Sequence, residues 1–319
     1  SIKNSFNPNH SKIDLKSMRP LGFHKNIDQE MKSINHRVSK ICGWNIIKFC
    51  PICKSKNKKF YLTCYDNDIY ECQNCRHKYS ERIPKNLTVV YENEIHFNQT
   101  NAIMDPSRKY RMKRFGNERV KIIKKYKKNG KLLDFGCGTG WFIEYALQFF
   151  EADGYEPTKN LAETLQSILQ RPIYNDIKNI DSNYYDIVTA FDVIEHVKSP
   201  KKTFSEFNRI LKPGGLLLLF TPNSKSISFE VMREKQNLII PPYHLHYFCE
   251  ESMRYLAKEN FKFVDYSNAG LDIADMYAFE RDHGQKKYAD FLKKNMYTLQ
   301  NFIDFNQNSN HMRVALLKK

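Results

Sequence analysis

The sequence predicts an α/β fold with a largely parallel sheet, preceded by a small cysteine-bearing domain. Three observations carry this expectation. From Lys131 onward, short apolar runs alternate with helical segments, as strands do with crossover helices. The stretch "KLLDFGCGTGWF" (131–142) sets Gly136, Gly138 and Gly140 at alternate positions directly after one such run. Upstream, four cysteines fall into two C-x2-C pairs.

The totals agree with a globular protein. The chain has 319 residues, 41% of them hydrophobic and 13% aromatic, enough to bury a sizeable core. Its longest apolar run, around Leu216 to Phe220, is far short of the ~20 residues that cross a bilayer. The N-terminal stretch lacks an apolar core of signal-peptide length, so a cytoplasmic site is expected. Net charge is +16, unevenly placed: residues 1–130 hold 28 Lys and Arg against 11 Asp and Glu, residues 131–319 only 23 against 24. Such asymmetry points to an acidic partner, whether nucleic acid, a phosphate- or pyrophosphate-linked substrate or an anionic membrane face. The alternative is a Lys- and Asn-rich composition with no partner.

Taken in order, residues 1–48 read as a loosely ordered basic arm with one helix near Ile27 to Ile41. Residues 49–83 form the cysteine-bearing domain. Residues 84–130 form a linker, with a strand-like "LTVVYENEIHF" running into a basic entrance helix, Pro106 to Lys128, whose stripe is Phe115, Arg119, Ile122, Ile123 and Tyr126. The α/β domain occupies 131–319. It carries a helical insertion at 270–310, with Tyr288, Phe291, Leu292, Met296, Leu299, Phe302 and Ile303 at helical spacing; this could cover a pocket or form a dimer contact.

Cys50, Cys53, Cys72 and Cys75 are spaced C-x2-C-x18-C-x2-C. Each pair places two thiolates on one side of a tight turn, and two turns together offer four sulfurs to a tetrahedral zinc. Between them, Phe60, Leu62, Ile69 and Tyr70 flank a polar Asp66-Asn67-Asp68 turn, so the segment resembles a zinc ribbon. Four thiolates close the coordination shell, which makes this zinc structural. Cys42 and Cys64 read as ordinary thiols, and His77 as a reserve ligand.

The glycine turn fails the dinucleotide pattern G-x-G-x-x-G, because Trp141 stands where the third glycine belongs, and no Walker lysine follows. A strand, a bare turn and a helix from Trp141 suit close backbone approach by a nucleoside without a diphosphate.

At this point the sequence resembles the class I S-adenosylmethionine-dependent methyltransferases, and within them the small-molecule subgroup that includes the ubiquinone-biosynthesis enzymes. "LLDFGCGTGWF" is similar to the family's first motif. "GYEPT" follows, with Glu156 twenty residues after Gly136; then come "IYNDI", "YYDIVTAFDVIEHVKSP" and "LKPGGLLLLFTPN". The resemblance covers roughly residues 110–265, with "RVALLKK" as a last strand. It implies a doubly wound, mostly parallel seven-stranded sheet with S-adenosylmethionine as cofactor. It also implies a cofactor site of Asp134, Gly136, Cys137, Gly138 and Gly140 on the first turn, Glu156 and Pro157 at the ribose, Asp176 and Ile177 at the adenine, and Asp192 and Val193 after the fourth strand.

Methyl transfer needs the acceptor held in line, and an alcohol acceptor must also lose a proton. His196, after the fourth strand, and His244 and His246, in "PPYHLHYFCEESM", are the candidate bases. The favoured reading is an O-methyltransferase of a sugar, or of a nucleotide- or lipid-linked sugar, with Lys56, Lys58, Lys59, Arg108, Arg111 and Arg114 meeting the anionic handle. The alternatives are an RNA methyltransferase that grips its substrate through the ribbon and basic arm, and a non-catalytic zinc-dependent adaptor.

Overall fold

A computed structural model describes residues 13–91 and 108–319. Near the N-terminus a helix runs from Phe23 to Ile41 and buries Met31, Ile34 and Val38. Five strands follow: β1 (Trp44–Ile46), β2 (Lys58–Cys64), β3 (Asn67–Cys72), β4 (Lys78–Ser80) and β5 (Arg82–Pro84). β1 pairs with β5, while β2, β3 and β4 form an antiparallel meander. The β2–β3 turn is tight because Tyr65 and Asp66 both take positive φ, 47° and 58°, the twist that suits a two-residue hairpin. It falls one residue earlier than the polar triplet promised, and Asn67 already belongs to β3.

The expected linker strand is absent where the chain is described. Thr88–Tyr91 is one helical turn that buries Val89 and Val90, and the rest of "LTVVYENEIHF" lies outside the described residues. From Arg108 to Tyr126 the chain is helical, with a π-helical stretch at Met112–Gly116. Gly116 is required there, since a Cβ would stand 2.7 Å from the Tyr145 ring.

The second sheet has seven strands: β6 (Lys131–Phe135), β7 (Glu151–Tyr155), β8 (Ile173–Tyr174), β9 (Tyr185–Phe191), β10 (Leu211–Pro222), β12 (Phe261–Asn268) and β13 (His311–Lys318). Its order is β12-β13-β10-β9-β6-β7-β8. The pairings from β10 to β8 are parallel, and β13 runs antiparallel to both of its neighbours. This is a mostly parallel, seven-stranded sheet of the kind the sequence resemblance implies. Its central strands are buried on both faces, and Leu216 to Leu219 are wholly inaccessible, which is why they read as a continuous apolar run.

Three features tie the N-terminal segments to the rest of the chain. The cysteine-bearing segment does not close on itself: its fourth strand, β11 (His246–Tyr247), comes from the other end of the chain and pairs with β4. Moreover Cys50, Ile52, Cys72, Cys75 and Tyr79 share one core with Leu133, Phe135, Tyr185 and Phe207 of the large sheet. Thirty-odd residues with few apolar side chains gain burial only by leaning on a larger body.

The N-terminal arm, from residue 13, is also better ordered than expected. Asp282 accepts hydrogen bonds from the Gly22 and His24 amides, and Arg281 donates to the carbonyls of Arg19 and Pro20. The arm thereby docks on the insertion, which is two helices, Asp272–Asp282 and Lys286–Phe305. On the longer helix Met296 and Ile303 are buried, whereas Tyr288, Phe291 and Phe302 are exposed. Among the described residues no helix is long and apolar enough to cross a membrane.

Candidate functional site

At the carboxyl ends of β6, β9 and β10 lies a cavity of about 370 Å³. Its floor is Asp134, the turn Gly136–Thr139, Phe191, Asp192 and Phe220, and the first residues of β13 close one side. Met18 and Arg19 of the arm, the π-helical stretch and Leu271 and Asp275 of the insertion complete the wall. The insertion therefore covers a pocket.

The turn is shaped by its glycines. Gly136, Gly138 and Gly140 all have positive φ, at 73°, 52° and 71°. At Gly136 a Cβ would also stand 2.6 Å from Val193, whereas at Gly138 it would meet open space. Bare backbone thus faces the cavity at Gly138, and Val193 packs behind the turn. Glu156, buried at the end of β7, accepts hydrogen bonds from Gly138 N (3.1 Å) and Thr158 N (2.9 Å). Burial pushes its carboxyl above the usual range. Pro157 and Asp176 are exposed, Ile177 is half-buried, and Asp176 caps its own short turn by accepting from Lys178 N.

Asp134 is buried and accepts from the Thr189 hydroxyl at 2.7 Å. Burial pushes it up to about 7, against the pull of that hydrogen bond and of Arg119. Cys137, buried beside it, is likewise held well above the ordinary thiol value by burial.

Arg119 was legible only as part of a stripe, and it proves central. It is 7% exposed. Its guanidinium lies 4.0 Å from the Phe191 ring centroid and 4.6 Å from that of Trp141. Its Nη2 is 3.9 Å from an Asp192 carboxylate oxygen, and its buried Nε has no hydrogen-bond partner. Burial pushes it down to about 10. A cation with a spare donor at a cavity wall is a ready partner for a carboxylate.

His311, at the start of β13, was missed. Its Nε2 lies 2.5 Å from Asp192 Oδ1, and both residues line the cavity. Against the desolvation of the pocket, His311 and then Arg119 hold the Asp192 carboxyl well below the usual range. No sequence motif surrounds His311; only the fold, by running β13 back beside β10, brings it to the strand ends.

The three expected histidines do not line this cavity. His196 Nδ1 bonds to the Tyr243 carbonyl and His244 Nδ1 to the Leu238 carbonyl, each at 2.8 Å. His246 bonds to the Val197 carbonyl at 3.0 Å and to His77 at 3.1 Å. Burial pushes His196 down to about 4, His246 to about 3 and His244 well below its ordinary value, so all three rings are neutral. Their carbonyl partners fix them as parts of the wall behind the cavity. The basic residues divide as well. Arg111 and Arg114 line the cavity, Arg108 pairs with Glu144, Lys58 pairs with Glu81 at 2.6 Å, and Lys56 and Lys59 stay on the cysteine-bearing side of the chain.

The four cysteine sulfurs do come together, with one ligand atom from each within 4.8 Å of the others. Cys50 Sγ is 3.5 Å from Cys75 Sγ, and Cys53 Sγ is 3.4 Å from Cys72 Sγ. The two turns repeat one geometry. Lys54 N donates to Cys50 O at 3.0 Å and Arg76 N to Cys72 O at 2.9 Å, and both Lys54 and Arg76 have positive φ, 63° and 62°. His77 stands apart from the four sulfurs: it is buried and stacked on Tyr79, with its Nε2 on His246.

The model of a family described as "Methyltransferase domain" matches residues 105–266. A thiol S-methyltransferase of Mus musculus is 30% identical over 112 residues, which is 32% of this chain and 46% of that protein. A ubiquinone biosynthesis O-methyltransferase of Azoarcus sp. is 26% identical over 174 residues, 48% of this chain and 73% of that one. Among solved structures, a phosphoethanolamine N-methyltransferase of Haemonchus contortus bound to S-adenosyl-L-methionine superimposes with a TM-score of 0.46 at 20% identity, covering 76% of this chain and 62% of the other. The chain spans less than half the length of the first curated relatives it matches.

Proposed function

The chain belongs to the methyltransferase-domain family, and from that premise we propose that it transfers a methyl group from S-adenosylmethionine to a hydroxyl of a small, anionic molecule. The observation that carries the reading is the open backbone of Gly138 on a cavity whose wall also holds the buried Arg119 guanidinium. The residues present fit the cofactor. Glu156 is the acceptor for the ribose hydroxyls, Asp134 and the glycine turn bound the methionine end, and Arg119 receives the methionine carboxylate. Asp176 and Ile177 flank the adenine side, Val193 packs behind the glycine turn, and Asp192 lies between Arg119 and His311. When bound, the cofactor supplies a methyl group already activated on a sulfonium, so the protein's task is alignment and proton removal.

Proton removal falls to His311. With Nε2 held by Asp192, the ring is oriented as a base is by its carboxylate, and Nδ1 is the atom left to accept the acceptor's proton. The acceptor class follows from the wall. Arg111 and Arg114 stand on the π-helical side of the cavity, and two guanidinium groups at a mouth suit a phosphate or pyrophosphate handle. A sugar carried on a nucleotide or lipid pyrophosphate answers to both features. The four-cysteine sheet is read as a structural zinc ribbon completed by β11, since two matched turns and four sulfurs leave no position for water.

Calorimetry and labelled methyl transfer test this together. S-adenosylmethionine is expected to bind the wild type, and Glu156→Ala to bind at least tenfold more weakly, on a scale of ~1.5–3 kcal/mol per charge-assisted hydrogen bond. Label should enter a nuclease-resistant, small-molecule fraction and nucleoside-diphosphate sugars. Unchanged cofactor affinity in the variant would show the pocket to be misassigned, and label found in RNA would replace the acceptor class.

A further inference from the structure

The helix Lys286–Phe305 carries two apolar faces, and the described chain covers one of them. Met296 and Ile303, with Leu292 and Leu299 beside them, pack against Ile273 and Ala274 of the shorter helix. On the other face Tyr288, Phe291, Phe302 and Phe305 are 59%, 58%, 69% and 86% exposed, with Asn295 and Thr298 between them. The steps from one of these six residues to the next are 3, 4, 3, 4 and 3. That alternation keeps them in one line along the helix, as the seam of a coiled coil requires. Four large rings in a line on a surface mark an interaction site rather than scattered exposure.

We propose that this seam seats a second copy of the same chain, the two helices running antiparallel across a twofold axis. The seam is complementary to itself. With Asn295 opposite Thr298, Phe291 falls opposite Phe302 and Tyr288 opposite Phe305, so the polar layers lie at the axis and two aromatic layers flank them on each side. A twofold interface demands such reciprocity, because every pair in it occurs twice. Asn295 Nδ2 donates to the Phe291 carbonyl at 2.8 Å, which leaves Oδ1 as the acceptor for the Thr298 hydroxyl of the partner. A polar pair in an apolar seam fixes the register. Charge fixes the direction. Lys286, Lys287, Lys293 and Lys294 all stand in the first half of the helix, and no Lys or Arg follows between Asn295 and Phe305. A parallel pair would crowd the lysines of both copies, whereas the antiparallel pair sets each group beside the negative end of the partner's helix dipole. At ~150–250 Å² per aromatic side chain, the exposed parts of the rings from both copies bring the interface to about 1,000 Å², the lower end for a specific pair, so micromolar dissociation is expected. The covered side of the same helix braces the cavity: Gln300 and Asp304 accept from the Ile273 and Gly270 amides at 2.9 and 3.2 Å, next to Leu271 and Asp275 on the cavity wall.

Sedimentation velocity of the full chain tests it. The wild type is expected to pass from monomer at ~0.1 µM to dimer at ~100 µM. Phe302→Glu should stay monomeric over the same range with an unchanged thermal midpoint, since its ring lies on the surface. Cysteine pairing reads the register. On mild oxidation the double variant Phe291→Cys, Phe302→Cys should form a covalent dimer beyond any wild-type background, because each new thiol faces one of the other kind. Phe291→Cys alone should not, its counterpart lying about 16 Å away along the seam. A wild type that is still monomeric at the upper concentration overturns the proposal, as does a dimer that survives Phe302→Glu or a covalent dimer from Phe291→Cys alone. A monomer that binds vesicles of anionic phospholipid, and loses that binding in Phe302→Glu, overturns it by assigning the face to a bilayer.

Discussion

The two large sheets of this molecule reach order by different routes. In the seven-stranded sheet nearly every central side chain is apolar and inaccessible, and burial alone accounts for its cohesion. In the cysteine-bearing sheet, β2 alternates between exposed and buried positions, and its order depends on four sulfurs meeting, on a strand supplied by a distant segment and on a core shared with its host. A small segment can therefore hold a fixed shape when a distant strand and a neighbouring core supply what its own apolar area does not.

The strongest way to break that contrast is to disrupt the four-cysteine cluster that is proposed to hold zinc. Cys72→Ser, or a chelator, is expected to lower amide protection across residues 58–80 by a hundredfold or more, while β6, β9 and β10 change less than threefold; binding of a structural zinc is worth ~10–16 kcal/mol in isolated peptides. Hydrogen exchange read by mass spectrometry checks this. Equal loss in both sheets would mean that the shared core makes them one cooperative unit.

A smaller effect sharpens the other side. Arg119→Met keeps most of the bulk among Phe191, Trp141 and Phe220 but removes the charge. Cofactor affinity measured by calorimetry should fall at least tenfold, on the same ~1.5–3 kcal/mol scale, while the thermal midpoint stays within a few degrees. A large drop in the midpoint with unchanged affinity would make Arg119 a packing residue.

A third effect is a pH dependence of stability carried by Asp134 in the large sheet. Asp134 titrates at about 7 in the folded protein against an ordinary 3.8. Between those values the unfolded chain has released a proton that the folded chain retains, so stability is full below pH 4 and declines as pH rises toward 7. Asp134→Asn should remove this decline. Denaturant midpoints for wild type and variant between pH 4 and pH 8 measure it, and parallel curves would show that Asp134 does not titrate there.

The parts of the fold legible in the sequence were those written by local chemistry. The apolar run at Leu216 to Leu219, the glycines at 136, 138 and 140 and the paired cysteines each need only a few neighbouring residues to declare themselves. What escaped was set by distant partners. The fourth strand of the cysteine-bearing sheet is a two-residue bridge at His246–Tyr247, too short to carry any periodicity. His311 gains its place from the reversed path of β13. Arg119 looked like one position of a helical stripe, and only the rings that close around it mark it as a buried cation. The histidines at 196, 244 and 246 stand in a familiar motif, yet their place behind the cavity is set by hydrogen bonds to backbone carbonyls that no local pattern reveals.

The pairing of β4 with β11 also sets a timetable. Tyr79 must wait for His246, and at ~5–20 residues per second the ribosome needs roughly 10–30 s to deliver it. Throughout that interval the meander of β2, β3 and β4 has an open edge, a surface on which a neighbouring nascent chain could add a strand. Early metal capture by Cys50, Cys53, Cys72 and Cys75, all translated before the wait begins, would hold the meander in register until its own last strand arrives.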